Sequence, residues 1–262
     1  MSEIRRAARL AAIVIVLAGV GACSKEAPLP PMGSADADKF LYERGAEALK
    51  QEHWTEAREY FRRLIDTYPQ SPFRHDAKLG VGDTYLGEDR VDTNILAANE
   101  FREFLTFFPL HERADYAQFQ LAVSVMRQML KPGRDQTATI DALKEFDTFL
   151  QNYPNSPRRA EAETLRREVR DRLSQSEFRV GLTYYRQRWY VGAVGRFEPL
   201  LKDDPQFSQR EDAMFYLGDS FLKMGRAPEA RVRFEQLLEQ FPNGKRAEQA
   251  RKLMAEIKGL ER

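Results

Sequence analysis

The sequence predicts an all-α fold, a superhelical solenoid of five helix pairs. Three observations carry this. One phrase recurs five times, in fixed register on Pro69, Pro109, Pro154, Pro205 and Pro242. Within each copy the apolar residues fall three and four apart, the period of a helix buried along one stripe. The composition, 42% hydrophobic and 31% charged, is that of a chain able to bury a core.

The register is strict. Eight residues before each proline stands Phe61, Phe101, Phe146, Phe197 or Phe234, and twelve before stands Ala57, Ala97, Ala142, Ala193 or Ala230. Eight residues after comes Ala77, Ala117, Ala162, Ala213 or Ala250. Two bulky apolar residues occupy the places five and four before each proline, from Leu64 and Ile65 to Leu237 and Leu238. Alanine, phenylalanine four on, then apolar residues three and four further, make one helix stripe. Proline cannot continue that helix. The later alanine lies in the next helix, where a small side chain permits close approach. Each unit is therefore a helix, a turn and the start of the next pair. What recurs is whatever touches the neighbouring pair, because one pair cannot bury its own stripe.

In chain order, residues 1–22 place three arginines before an apolar run from Leu10 to Val20, then small residues. That run is too short to span a bilayer, which takes about 20 residues. The layout is that of an export signal. It ends in Val20-Gly21-Ala22-Cys23, and Cys23 is the one cysteine of the chain, so an internal disulfide is excluded. This stretch resembles the bacterial lipoprotein box, which implies cleavage before Cys23 and acylation of its sulfur and new amino terminus. Several acyl chains together make a stable anchor. Ser24, in place of an aspartate, favours the outer membrane. Residues 23–35, rich in proline and small residues, read as a lipidated tether.

Residues 36–262 form the five repeats, with bounds near 36–69, 70–109, 110–154, 155–205 and 206–242, and a C-terminal helix over 243–262. Ten helices in pairs and essentially no sheet are expected before that last helix. The prolines are 40, 45, 51 and 37 residues apart. The pattern resembles the tetratricopeptide repeat, whose unit is 34 residues and ends in proline. The small residue and aromatic of that repeat's first helix match Gly82 and Tyr85, Gly181 and Tyr184, and Gly218 and Phe221. The first copy has Gly45 alone, and the third departs, with Ala122 and Val125. The 51-residue interval puts its extra length between the two alanines of consecutive blocks. It predicts an unusually long helix over 157–188, with Ser174, Ser176 and Gly181 as places where it could bend. Asp204 departs from the aromatic that precedes the proline in the other four copies.

Charge and motifs exclude several function classes. Lysine and arginine number 41 against 40 acidic residues, and without residues 1–22 the formal charge is −1. That balance offers no footprint for nucleic acid. The basic stretch 158–172 alternates in sign and reads as a solvated helix face. Three histidines, His53, His75 and His111, form no metal-ligand spacing. Gly80 and Gly82 are packing residues of a helix, since no strand precedes them. No catalytic residue, cofactor or metal site is expected. A binding scaffold remains.

In tetratricopeptide arrays the first helices of the pairs line the concave face. That register assigns Lys39, Tyr42 and Leu49 to a groove from the first repeat, Leu79, Asp83 and Leu86 from the second, and Tyr116, Phe119, Met126 and Arg127 from the third. Such a ladder of apolar side chains with a cation near either end suits an extended peptide with aromatic side chains and a terminal carboxylate.

Beyond the repeat, the stretches 107–122, 134–157 and above all 170–205, "RDRLSQSEFRVGLTYYRQRWYVGAVGRFEPLLKDDP", resemble the BamD family of lipoproteins. The resemblance covers the whole mature chain. It implies a scaffold on the periplasmic face of the outer membrane, in the machinery that assembles β-barrels. Its N-terminal repeats would receive unfolded barrel precursors, and its C-terminal repeats would dock on the barrel-forming subunit. Arg196 aligns with an arginine of the matching helix and is the expected docking contact, its guanidinium suited to bidentate pairing with a carboxylate. A tetratricopeptide pilotin for a secretin is the nearest alternative, and the length of the 157–188 helix discriminates. A lipid-anchored envelope enzyme is the other, and would need a second domain.

Overall fold

The computed structural model describes residues 36–260, and within them the chain forms eleven α-helices and no strand. The leader 1–22, Cys23 and the stretch 24–35 lie outside the described residues. The pairs are α1 (Ala37–Lys50) with α2 (Trp54–Thr67), α3 (Arg74–Glu88) with α4 (Val91–Phe107), and α5 (Ala114–Met126) with α6 (Thr137–Asn152). There follow α7 (Arg159–Arg186) with α8 (Tyr190–Asp203), α9 (Arg210–Lys223) with α10 (Ala227–Gln240), and a closing helix α11 (Ala247–Leu260). Each helix packs on its predecessor and successor, and α1 also touches α3, as α7 touches α9.

The recurring residues are the core. All ten register alanines are fully buried, and so, within 2% exposure, are the five phenylalanines. The glycines explain why the first helices need a small residue. A Cβ on Gly45 would lie 2.6 Å from the Phe61 ring, and one on Gly80 would lie 2.5 Å from its other side. The ring is thus held between two helix backbones. The same approach recurs at Gly82 with Phe101, Gly181 with Phe197 and Gly218 with Phe234. The third repeat keeps its first helix despite the departure noted above, since Ala122 and Val125 are both buried in α5.

The turns repeat too. The residue before each proline leaves helical geometry, at φ between −125° and −132°, and donates its N–H to the carbonyl four residues back. A following proline favours the first of these, since it disfavours helical geometry in the residue before it. Between the helices of a pair, Glu52, Asp89 and Arg188 hold φ of 61°, 48° and 62°, and Gly225 holds 74°. A left-handed residue at this place reverses the chain in few residues.

The long helix is continuous. α7 runs 28 residues through Ser174, Ser176 and Gly181. The extra length lies inside it, because three residues, 187–189, suffice to reach α8. Ala162 and Val169 of α7 belong to a core shared with α1–α6, while Phe178 belongs to one shared with α8–α11. The segment between them holds the fourth turn. Arg167 donates two parallel hydrogen bonds to the Asp204 carboxylate, at 2.7 and 2.6 Å, and the Ser174 hydroxyl donates a third at 2.6 Å. Asp171 accepts from the amide and hydroxyl of Ser208, both at 2.8 Å. Asp204 therefore replaces the aromatic of the other copies because its neighbour is polar helix, not an apolar face. Burial pushes its pKa up, but the hydrogen bonds from Arg167 and Ser174 outweigh that and hold it below the usual carboxylate value.

Candidate peptide-binding site

The first helices of the N-terminal pairs carry a strip in which aromatic rings alternate with guanidinium groups. Tyr42 of α1 stacks on Phe73 at 5.0 Å between centroids. Arg113, just before α5, pairs with Asp76 of α3 and lies 4.7 Å over the Tyr116 ring. Arg158, just before α7, lies 4.8 Å over that same ring and 5.5 Å over Phe119. Tyr116 is thus flanked by two cations, and its hydroxyl donates to Asp83 at 2.6 Å. Burial, reinforced by the Asp83 charge, raises the Tyr116 pKa, so the phenol stays protonated. Burial also pushes Asp83 up to about 6, against the Tyr116 hydrogen bond and the charges of Arg113 and Arg158. Asp83 is mostly ionised at neutral pH and offsets part of the local positive charge.

A break in the repeat sets Arg158 apart. Seven residues after the first and fourth repeat prolines stand Asp76 and Asp212, and each pairs with the arginine four after the next proline, Arg113 and Arg246. After the second proline that place holds Tyr116. Arg158 accordingly faces a ring, and among the described residues it forms no ion pair. A half-buried guanidinium on an aromatic shelf, near the Asp83 charge but hydrogen-bonded to no carboxylate among the described residues, is suited to an anionic group of a ligand.

The groove assignments are partly corrected. Leu79 is fully buried and Leu86 and Phe119 nearly so, and all three pack the interior. α3 and α5 are flanked by helices on both sides, so their apolar residues have little surface left. Tyr42, Leu49, Tyr116 and Met126 are half-buried and keep an accessible side. Lys39 is exposed and lies 3.8 Å from Glu43. Arg127 donates to the Leu86 carbonyl at 2.8 Å and to Asp89 at 3.1 Å, which clips α5 to the end of α3. Arg196 projects from α8 into solvent, 3.3 Å from Glu177. The sequence reading missed Phe73, Arg113 and Arg158. The register held the signal: all three stand four residues after a repeat proline.

Among the described residues no group of histidine, cysteine and carboxylate side chains is arranged to hold a metal ion, and no helix is long and apolar enough to cross a membrane.

The chain is 28% identical over 222 residues to an outer membrane protein assembly factor BamD of Caulobacter vibrioides, covering 84% of this chain and 72% of the relative. A BamD of Haemophilus influenzae is 22% identical over 237 residues, with 86% of each chain covered. Among solved structures, the TPR2AB domain of yeast Sti1 in its pHSP90 complex is similar over 82% of this chain and 81% of its own, at 11% identity and a TM-score of 0.47. Residues 34–232 match the family model YfiO, described as outer membrane lipoprotein. That match spans most of the repeat array, and the chain belongs to the YfiO family of outer membrane lipoproteins.

Proposed function

We propose that this protein is a scaffold for assembly of β-barrel proteins at the outer membrane, held at the periplasmic face by acyl chains on Cys23. Its relatives are named assembly factors, which supports the role. The strip from Tyr42 to Arg158 receives extended segments of unfolded barrel precursors. Main-chain length is accommodated along the first helices, aromatic side chains lie against Tyr116 and Tyr42, and a client carboxylate seats on Arg158. The observation that carries this reading is Arg158 lying over Tyr116 with no ion pair among the described residues. Arg158→Gln is expected to weaken binding of a fluorescent C-terminal peptide of a barrel protein about tenfold, equivalent to ~1.4 kcal/mol. Amidating the peptide's carboxylate should weaken wild-type binding similarly and change nothing further in the variant. Equal affinity of free and amidated peptides for the wild type would reject the carboxylate seat.

The C-terminal repeats dock on the barrel-forming subunit. Support comes from the entry to α8, where Trp189 and Val191 are 56% and 67% exposed, and from the exposed Arg196 on that helix. Arg196→Glu is expected to abolish co-purification of a large β-barrel protein with periplasmic repeats while leaving peptide binding intact. Undiminished recovery would move the docking surface elsewhere. The 28-residue α7 favours this reading over a secretin pilotin.

A further inference from the structure

The first three turns between consecutive pairs each pack near the start of the preceding pair's first helix, along one edge of the array, and the second differs in sequence from the other four. Two residues before the repeat prolines stand Thr67, Phe107, Asn152, Asp203 and Gln240, and one residue after stand Gln70, Leu110, Asn155, Gln206 and Asn243. Four turns present polar side chains at both places. The second presents phenylalanine and leucine, 65% and 98% exposed, which no core contact explains. The run from Phe104 to Leu110 carries no charge.

Its position says what covers it. Phe108 of the same turn packs on His75 at the start of α3, at 4.4 Å between centroids. The turn leading into α3 is joined in turn to α1, through the Ser71 hydroxyl donating to Asp38 at 2.6 Å. The second turn therefore stands two helix spacings, about 20 Å, from the residue where the described chain begins. Twelve residues, 24–35, separate that residue from Cys23. Fully extended, the link reaches at most about 45 Å. Acyl chains on Cys23 would hold this edge within reach of the bilayer. Two protruding side chains around a proline are too little for a protein interface, which takes about 800 Å² per partner. They match instead the shallow insertion of aromatic and aliphatic groups among lipid headgroups.

We propose that Phe107 and Leu110 form a second membrane contact, dipping into the periplasmic leaflet of the outer membrane and fixing the edge of the array against it. This rests on the lipid-anchor reading above, and the test separates the two. Because Cys23 is the one cysteine, the mature chain carrying Cys23→Ser, an N-terminal hexahistidine and Leu110→Cys takes a single nitrobenzoxadiazole label. A second protein carries the label through Asn243→Cys, on the last turn. Both are held on phosphatidylethanolamine and phosphatidylglycerol vesicles containing a nickel-chelating lipid. The label at 110 is expected to brighten severalfold and to be quenched by brominated acyl chains, while the label at 243 is not. Phe107→Asp should return the first signal to the level of the second. Equal, unquenched emission at both sites overturns the proposal, as does a label at 110 that responds only when the barrel-forming subunit is added. Failure of Cys23 to incorporate radiolabelled palmitate in cells would sink the anchor reading and leave this measurement standing.

Discussion

Phe61→Ala is expected to destabilise the N-terminal half of the array by about 3–5 kcal/mol, the range for removing a buried aromatic ring. The upper part of that range applies because of what lines the cavity. Gly45 and Gly80 bring helix backbone against both sides of the ring. Backbone of two packed helices cannot move inward to fill the space, so the collapse that moderates such substitutions elsewhere is blocked. In a repeat array, stability is a sum of local and nearest-neighbour terms. Removing a ring shared by α1, α2 and α3 should therefore lower the first part of the urea transition and leave the rest in place. Far-UV circular dichroism against urea would show one transition becoming two. A single transition shifted by less than about 1 kcal/mol would mean that the ring is not the keystone its packing indicates.

Asp204→Ala should be next in size, at roughly 2–3 kcal/mol. Removing one member of a buried pair costs about 3–5 kcal/mol. The discount reflects Arg167, whose side chain keeps 33% of its surface in water and can be resolvated in part. Asp204→Asn retains the size and an acceptor for Ser174 and should lose less. The pH dependence gives the sharper test. The folded-state pKa lies below its ordinary value near 3.8. A depressed carboxylate contributes stability that is fully present above the unfolded-state pKa and lost as pH falls through the folded-state one. The gap between wild type and Asp204→Ala should thus be flat from about pH 8 to about pH 5 and close below about pH 4. A gap that widened toward acid would show that Asp204 is not held ionised by Arg167.

The sequence made the array legible because its packing is periodic. Phe61, Phe101, Phe146, Phe197 and Phe234 each meet the same surroundings, so one physical requirement was written five times. Residues that serve the array once were harder. Asp204 looked like a defect in the register, because its partner Arg167 is 37 residues away and becomes a neighbour only through the length of α7. Leu79, Leu86 and Phe119 were assigned to the groove by the tetratricopeptide register, which places a position on the first helix without saying how deeply its neighbours bury it. α3 and α5 have helices on both sides, and each buries eight residues. Arg158 was legible in principle, as the copy in which tyrosine stands where aspartate pairs with the following arginine. Seeing that required comparing the polar places of the repeat, which vary, and not only the apolar ones, which recur.

The insertion in α7 also sets a rule for how this architecture can change length. From Ala162 to Gly181 is nineteen residues, against five in the other copies. The fourteen added residues fall about 40° short of four complete revolutions, since each residue advances a helix by ~100°. The C-terminal half therefore points in nearly the azimuth it would have had without them. Adding or deleting a single residue would swing it by about 100° around the helix axis and carry Arg196 to a different side of the molecule. Spacers of about eleven, fourteen or eighteen residues keep the bearing, and those between do not.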